Sequence, residues 1–97
     1  MKNKQKDEDE EIRLKLLKDY DLKETDLKKN FSPGTFGCHE LMHTISVMER
    51  TWDENVLEHS SCIMNKKWFK KAAKITEKMY QLYNDVATAH LSDESEK

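Results

Sequence analysis

The chain has 97 residues and a mass of 11.5 kDa, enough for one domain with a small core. Charged residues make up 37% and hydrophobic residues 36%, and the formal net charge of −2 gives no global attraction to DNA or to an anionic membrane. Two glycines and one proline leave too little turn chemistry for a multi-stranded sheet, and no apolar run is long enough to span a bilayer.

Residues 1–8 are charged and lack periodic apolar positions, so they read as a disordered tail, as do residues 92–97. The first residues carry no apolar segment of the kind a secretory leader needs. The expected compartment is therefore the cytoplasm, where Cys38 and Cys62 stay reduced. From Asp9 onward Ile12, Leu16 and Tyr20, with Leu17 beside them, recur at helical steps and predict a first helix over about 9–28. Asp21-Leu22-Lys23-Glu24 has the spacing of a capping box, so this helix is expected to break and restart there.

The segment Phe31-Ser32-Pro33-Gly34-Thr35-Phe36-Gly37 holds the only proline and both glycines and is the one clear loop. Thr35 or Gly37 is positioned to cap the next helix, and Phe31 and Phe36 are expected to fold back onto the core.

The second helix is predicted over about 38–58, where Leu41, Ile45, Met48, Trp52 and Val56 fall in one narrow stripe at ~100° per residue. Ser60-Ser61 and Asn65 mark a turn, with Asn65 as the N-cap of a third helix over about 65–91. There Trp68, Ala72, Ile75, Met79, Leu82 and Val86 repeat at the spacing of a coiled-coil seam, widened by Phe69, Tyr80 and Tyr83. Two matching stripes on a short connection predict an all-α fold, a single helical domain over 1–97 built on a long antiparallel helical hairpin. The N-terminal helix completes a three-helix bundle, or two hairpins pair into a dimeric four-helix bundle. Cys38 and Cys62 then lie on the order of 35 Å apart at ~1.5 Å per residue, beyond the reach of an intrachain disulfide. A bridge between the subunits of an antiparallel dimer stays open.

One string has a known chemical meaning: His39-Glu40-Leu41-Met42-His43, or H-E-x-x-H. It resembles the helical motif of zinc metallopeptidases, where two histidines one turn apart bind Zn²⁺ and the glutamate activates the metal-bound water. The resemblance covers five residues. It implies His39 and His43 as ligands and Glu40 as ligand or catalytic base of a zinc-dependent hydrolase. Thr44 to Glu49 supply no third ligand, and His59 is roughly 24 Å further along at ~1.5 Å per residue. The residues within reach are His90 and Asp85 on the antiparallel third helix, and Cys38. Against this, a stripe centred on Leu41 turns His39 and His43 about 160° to either side, away from the third helix. Glu40 with His43 also resembles the Glu-x-x-His pair of ferritin-like carboxylate bundles, which implies iron and needs further inward glutamates. Glu77, the best placed of these, lies opposite the seam. The plainer alternative makes both histidines members of a polar face.

Lys66, Lys67, Lys70, Lys71, Lys74 and Lys78 occupy one side of the third helix, within about 140°. Such a face suits an anionic ligand or nucleic acid. It also suits plain solvation beside Asp53, Glu54 and Glu58, which the negative net charge and the lack of a nucleic-acid motif favour. With no complete catalytic set, the expected function is non-enzymatic: a small soluble helical protein acting by self-association, by binding a protein partner, or both, with no resident cofactor. Leu41, Ile45, Met48, Trp52, Trp68, Ile75, Met79, Leu82 and Val86 are its expected core or interface residues. The alternatives are a zinc or iron protein using His39-Glu40-x-x-His43, and an anion or nucleic-acid binder using the lysine face.

Overall fold

In the computed structural model the backbone is described for residues 2–95 and the side chains for residues 7–92. These residues form five α-helices and no strand: α1 (Lys2–Asp19), α2 (Glu24–Phe31), α3 (Phe36–Trp52), α4 (Ser60–Met64) and α5 (Lys66–Ser95). A π-helical turn, Asp53–Leu57, continues α3. The all-α hairpin is present: α3 with its π turn lies against α5, joined by Trp52 to Ala72 at one end and by Gly34 to His90 at the other. Helix reaches into both stretches expected as tails, from Lys2 and to Ser95, while Met1, Glu96 and Lys97 lie outside the described residues.

The expected first helix is two. α1 closes with Leu22 N–H donating to Leu17 O at 2.9 Å and Asp21 N–H donating to Lys18 O at 3.0 Å. Asp21 takes the left-handed φ of 52° that this Schellman closure requires. The capping box expected at Asp21 therefore does not form. Lys23 occupies the N-cap of α2 without a side-chain bond, and its ammonium reaches the Asp21 carboxylate at 3.3 Å. On α1 the Arg13 guanidinium grips both oxygens of Glu10 at 2.7 Å and, chiefly through that hydrogen bond, holds the carboxyl below its ordinary range. Among the described residues α1 touches no other helix.

The loop after α2 is fixed at three points. Thr35 Oγ1 accepts from Cys38 N–H at 3.3 Å, so Thr35 is the cap. Gly34 adopts φ 90°, open to glycine, and donates its N–H to His90 Nδ1 at 2.9 Å. At Gly37 a side chain would collide with the Asn30 carbonyl and the Phe31 ring, so its absence lets α2 come close to α3. That close approach lays Phe31 over the backbone rather than into the core. Phe31 and Phe36 are both exposed, contrary to expectation, and Phe36 stacks on His39 instead. Before α5, Asn65 Oδ1 accepts from Trp68 N–H at 3.1 Å, the expected cap.

The seam differs from the expected one by about one residue on each helix. On α3 it runs through Cys38, Met42, Ile45, Glu49 and Trp52. On α5 it runs through Ala72, Thr76, Met79, Tyr83, Val86 and His90. The smallest apolar side chains, Cys38 and Ala72, are buried here, because small residues let two helix backbones approach. The expected stripes share Ile45, Trp52, Ala72, Met79 and Val86 with this seam. Leu41, Met48, Trp68, Ile75 and Leu82 instead remain exposed on its flank.

Candidate functional site: an uncovered apolar face

On α5, Trp68, Ile75 and Leu82 follow one another at seven-residue steps and so share one side of the helix. On α3, Leu41 and Met48 do the same. The opposite flank of the hairpin is fixed by Asp53, which accepts from Thr76 across it at 3.1 Å. At ~100° per residue Leu41 and Met48 lie on the other side of α3 from Asp53, and Ile75 and Leu82 on the other side of α5 from Thr76. The five residues therefore make one face along the hairpin. Their exposures run from 46% at Ile75 to 60% at Trp68, large for side chains of this size.

A cavity of about 410 Å³ opens at one end of this face, walled by Trp52, Val56, Cys62, Trp68, Ala72 and Ile75. A shallower hollow continues it over Ile75, Met79 and Leu82. The floor is held by a relay. Trp52 Nε1–H donates to Thr76 Oγ1 at 3.0 Å, with a longer approach to Ala72 O at 3.4 Å, and Thr76 reaches Asp53 Oδ1. Asp53 begins the π turn, so the extra residue in that turn lies where α3 is tied to α5. His59, the N-cap of α4, closes the far wall and accepts from Ser61 N–H at 3.0 Å. Spacing alone carried no signal for the Thr76–Asp53 tie or for the π turn.

The lysines border this face. Lys71 lines the cavity, and Lys74 and Lys78 line the hollow beyond it. Lys67 falls on the same edge at ~100° per residue, while Lys66 and Lys70 lie further round. Among the described residues none of the six forms an ion pair. The expected balancing groups are turned elsewhere: Asp53 accepts from Thr76, and Glu54 and Glu58 line a separate polar hollow with Glu49 and Arg50.

The H-E-x-x-H residues sit at the other end of the hairpin. His39, Glu40 and His43 are exposed. The shift of the seam to Cys38 brings His39 next to the hairpin, so its ring lies 5.8 Å from that of His90, not turned away as expected. His90 is 3% exposed and spends Nδ1 on Gly34 N–H. His43 and Asp85 are exposed, and Cys38 is buried. Among the described residues no three of His, Cys, Asp and Glu gather closely enough to hold a metal ion, so the ligand set His39, His43, His90, Asp85 and Cys38 is not assembled.

No family model, no curated protein and no solved structure matches the chain. No helix among the described residues is long and apolar enough to cross a membrane. The site's own geometry is the ground for a functional reading.

Proposed function

We propose that the protein works by association, presenting the face of Leu41, Met48, Trp68, Ile75 and Leu82 to an amphipathic helix. One observation carries this reading: the chain leaves uncovered far more surface than its mass needs. A folded monomer of 11.5 kDa exposes roughly 5,800 Å², and this chain exposes 8388 Å². The surplus, about 2,600 Å², is that of the whole chain, the unpacked α1 as well as this face. The Cα radius of gyration points the same way, at 16.8 Å against roughly 12.5 Å for a compact chain of this length. Among the described residues no side chain is fully buried. Two grooved helices flanking an apolar furrow make the standard receptor for a third.

The reading is non-enzymatic and needs no cofactor. The two free cysteines suit a reducing compartment such as the cytoplasm. A site-specific photo-crosslinker at position 75, placed in the full chain in its producing cells, tests it. The expected result is an adduct, with this chain or another, that a crosslinker at Glu77 on the other side of α5 does not give and that Leu82→Asp abolishes. No adduct from position 75 would overturn the reading.

A further inference from the structure

The occupant of this face can be named from the chain itself, if the association reading holds. We infer that α1 of a second copy docks on it, each chain lending its α1 to the other about a two-fold axis.

The first ground is that the C-terminal half of α1 carries three large apolar side chains on one side, with Leu14 on the other, and no helix of its own chain over them. Ile12, Leu16 and Tyr20 lie within about 80° of one another on the helix, with Leu17 at the margin. They are 57%, 45% and 70% exposed, and α1 meets no other helix of its own chain. The second ground is charge. Asp7-Glu8-Asp9-Glu10-Glu11 is the longest acidic run in the sequence, and of its members only Glu10 is ion-paired among the described residues. The receiving face is edged by Lys67, Lys71, Lys74 and Lys78, none of them ion-paired among the described residues. Opposite charges of this kind set the register of a helix in a groove.

The third ground is length. With α1 laid parallel to α5 and Glu11 level with Lys71, the nine residues from Glu11 to Tyr20 span most of the eleven from Lys71 to Leu82. The acidic run then lies beside Lys67 and Lys71. Ile12 enters the cavity between Trp68 and Ile75, Leu16 covers Ile75 and Met79, and Tyr20 covers Leu82. The fourth ground is where the chain's own α1 lies: it ends in the Schellman closure through Asp21 and Leu22 and meets no helix of its own hairpin. Exchange of an element between identical chains is a low-cost route to a dimer.

The test is complementation between two damaged copies of the full chain, Leu16→Asp on the donor helix and Ile75→Asp on the receiving face. In a reciprocal exchange each substitution strikes both contacts. Each should weaken the dimer at least about a hundredfold, from loss of two buried aliphatic contacts. Neither variant should dimerise at low micromolar concentration, and both should keep wild-type far-ultraviolet circular dichroism. Mixed in equal amounts, they should form a heterodimer, with one intact α1 in one intact face, seen by sedimentation equilibrium and as a one-to-one mass in native mass spectrometry. Lys71→Glu with Lys74→Glu should weaken the wild-type dimer about tenfold, and Glu8→Lys with Glu11→Lys in the same chain should restore it.

Three outcomes overturn the inference. A dimer that survives Leu16→Asp shows that the face binds something other than α1. A wild-type chain that stays monomeric, with tryptophan emission that Leu16→Asp shifts to the red, shows α1 folded onto its own hairpin. A wild-type chain that stays monomeric without that shift shows that the second copy is not the occupant. In each of these the adduct at position 75 decides separately whether the face associates at all.

Discussion

Replacing Thr76 by valine is the sharpest probe of how the apolar face is held open. The hydroxyl stands 3.0 Å from Trp52 Nε1, 3.1 Å from Asp53 Oδ1 and 3.2 Å from the Ala72 carbonyl. It has one proton, which goes to Asp53 or to Ala72, and a lone pair that takes the indole N–H. Thr76→Val keeps the branched shape and removes both the donor and the acceptor. One neutral hydrogen bond contributes about 1 kcal/mol and one to a carboxylate about 1.5 kcal/mol or more. Because the groups are only half-buried, a combined loss of about 2 kcal/mol is expected. In a domain of this size that lowers Tm by about 10 °C. Thermal unfolding followed by circular dichroism, at matched protein concentration, measures it. Trp52→Phe removes the other end of the same bond, so the double variant should show a coupling of about 1 kcal/mol. A Thr76→Val chain within about 0.5 kcal/mol of wild type, or strictly additive effects in the double variant, would refute the relay.

Three further outcomes follow from other parts of the fold. Gly37→Ala drives a methyl group into the Asn30 carbonyl and the Phe31 ring. It should cost about 1–3 kcal/mol and speed amide exchange across α2, and unchanged exchange there would sink the close-approach argument. Glu10 has its carboxyl lowered by Arg13, so its contribution to α1 is present above the ordinary glutamate range and is lost as pH falls through the lowered value. Its side-chain carbonyl shift should titrate below the usual glutamate midpoint, and Arg13→Ala should return it there; a midpoint that ignores Arg13 would contradict the pairing. Protein dialysed against one equivalent of zinc and then against buffer should keep no stoichiometric metal, whereas one mole per chain that His39→Ala removes would show a ligand set assembled in some other way.

The sequence was legible where structure is local. Asn65 is legible as a cap, and Thr35 as one of two candidates with Gly37, because a cap needs only its own side chain and the N–H three residues on. The hairpin followed from two long periodic segments on a short connection. The edge of each apolar arc that would be covered was not legible. Leu41 and Cys38 both lie on the apolar side of α3, and periodicity gives the arc without saying which neighbour takes which half. Close backbone approach chose Cys38 and Ala72, and the larger side chains were left on the flank. The capping box at Asp21 was misread because an aspartate fits both an N-cap and, less often, a left-handed C-terminal position. His90 against Gly34 joins residues 56 apart in sequence, which no window of helical periodicity can reach.

The two thiols give the molecule a pair of built-in gauges. Cys38 and Cys62 are both free and buried, one in the first turn of α3 behind the Thr35 cap and the other in the wall of the tryptophan-lined cavity. An alkylating reagent reaches Cys38 when its turn loosens and Cys62 through the cavity, so each rate reports its own end. If something settles over the cavity, Cys62 should slow towards the reagent while Cys38 keeps its pace. Occupancy could then be followed without a label or any change to the chain.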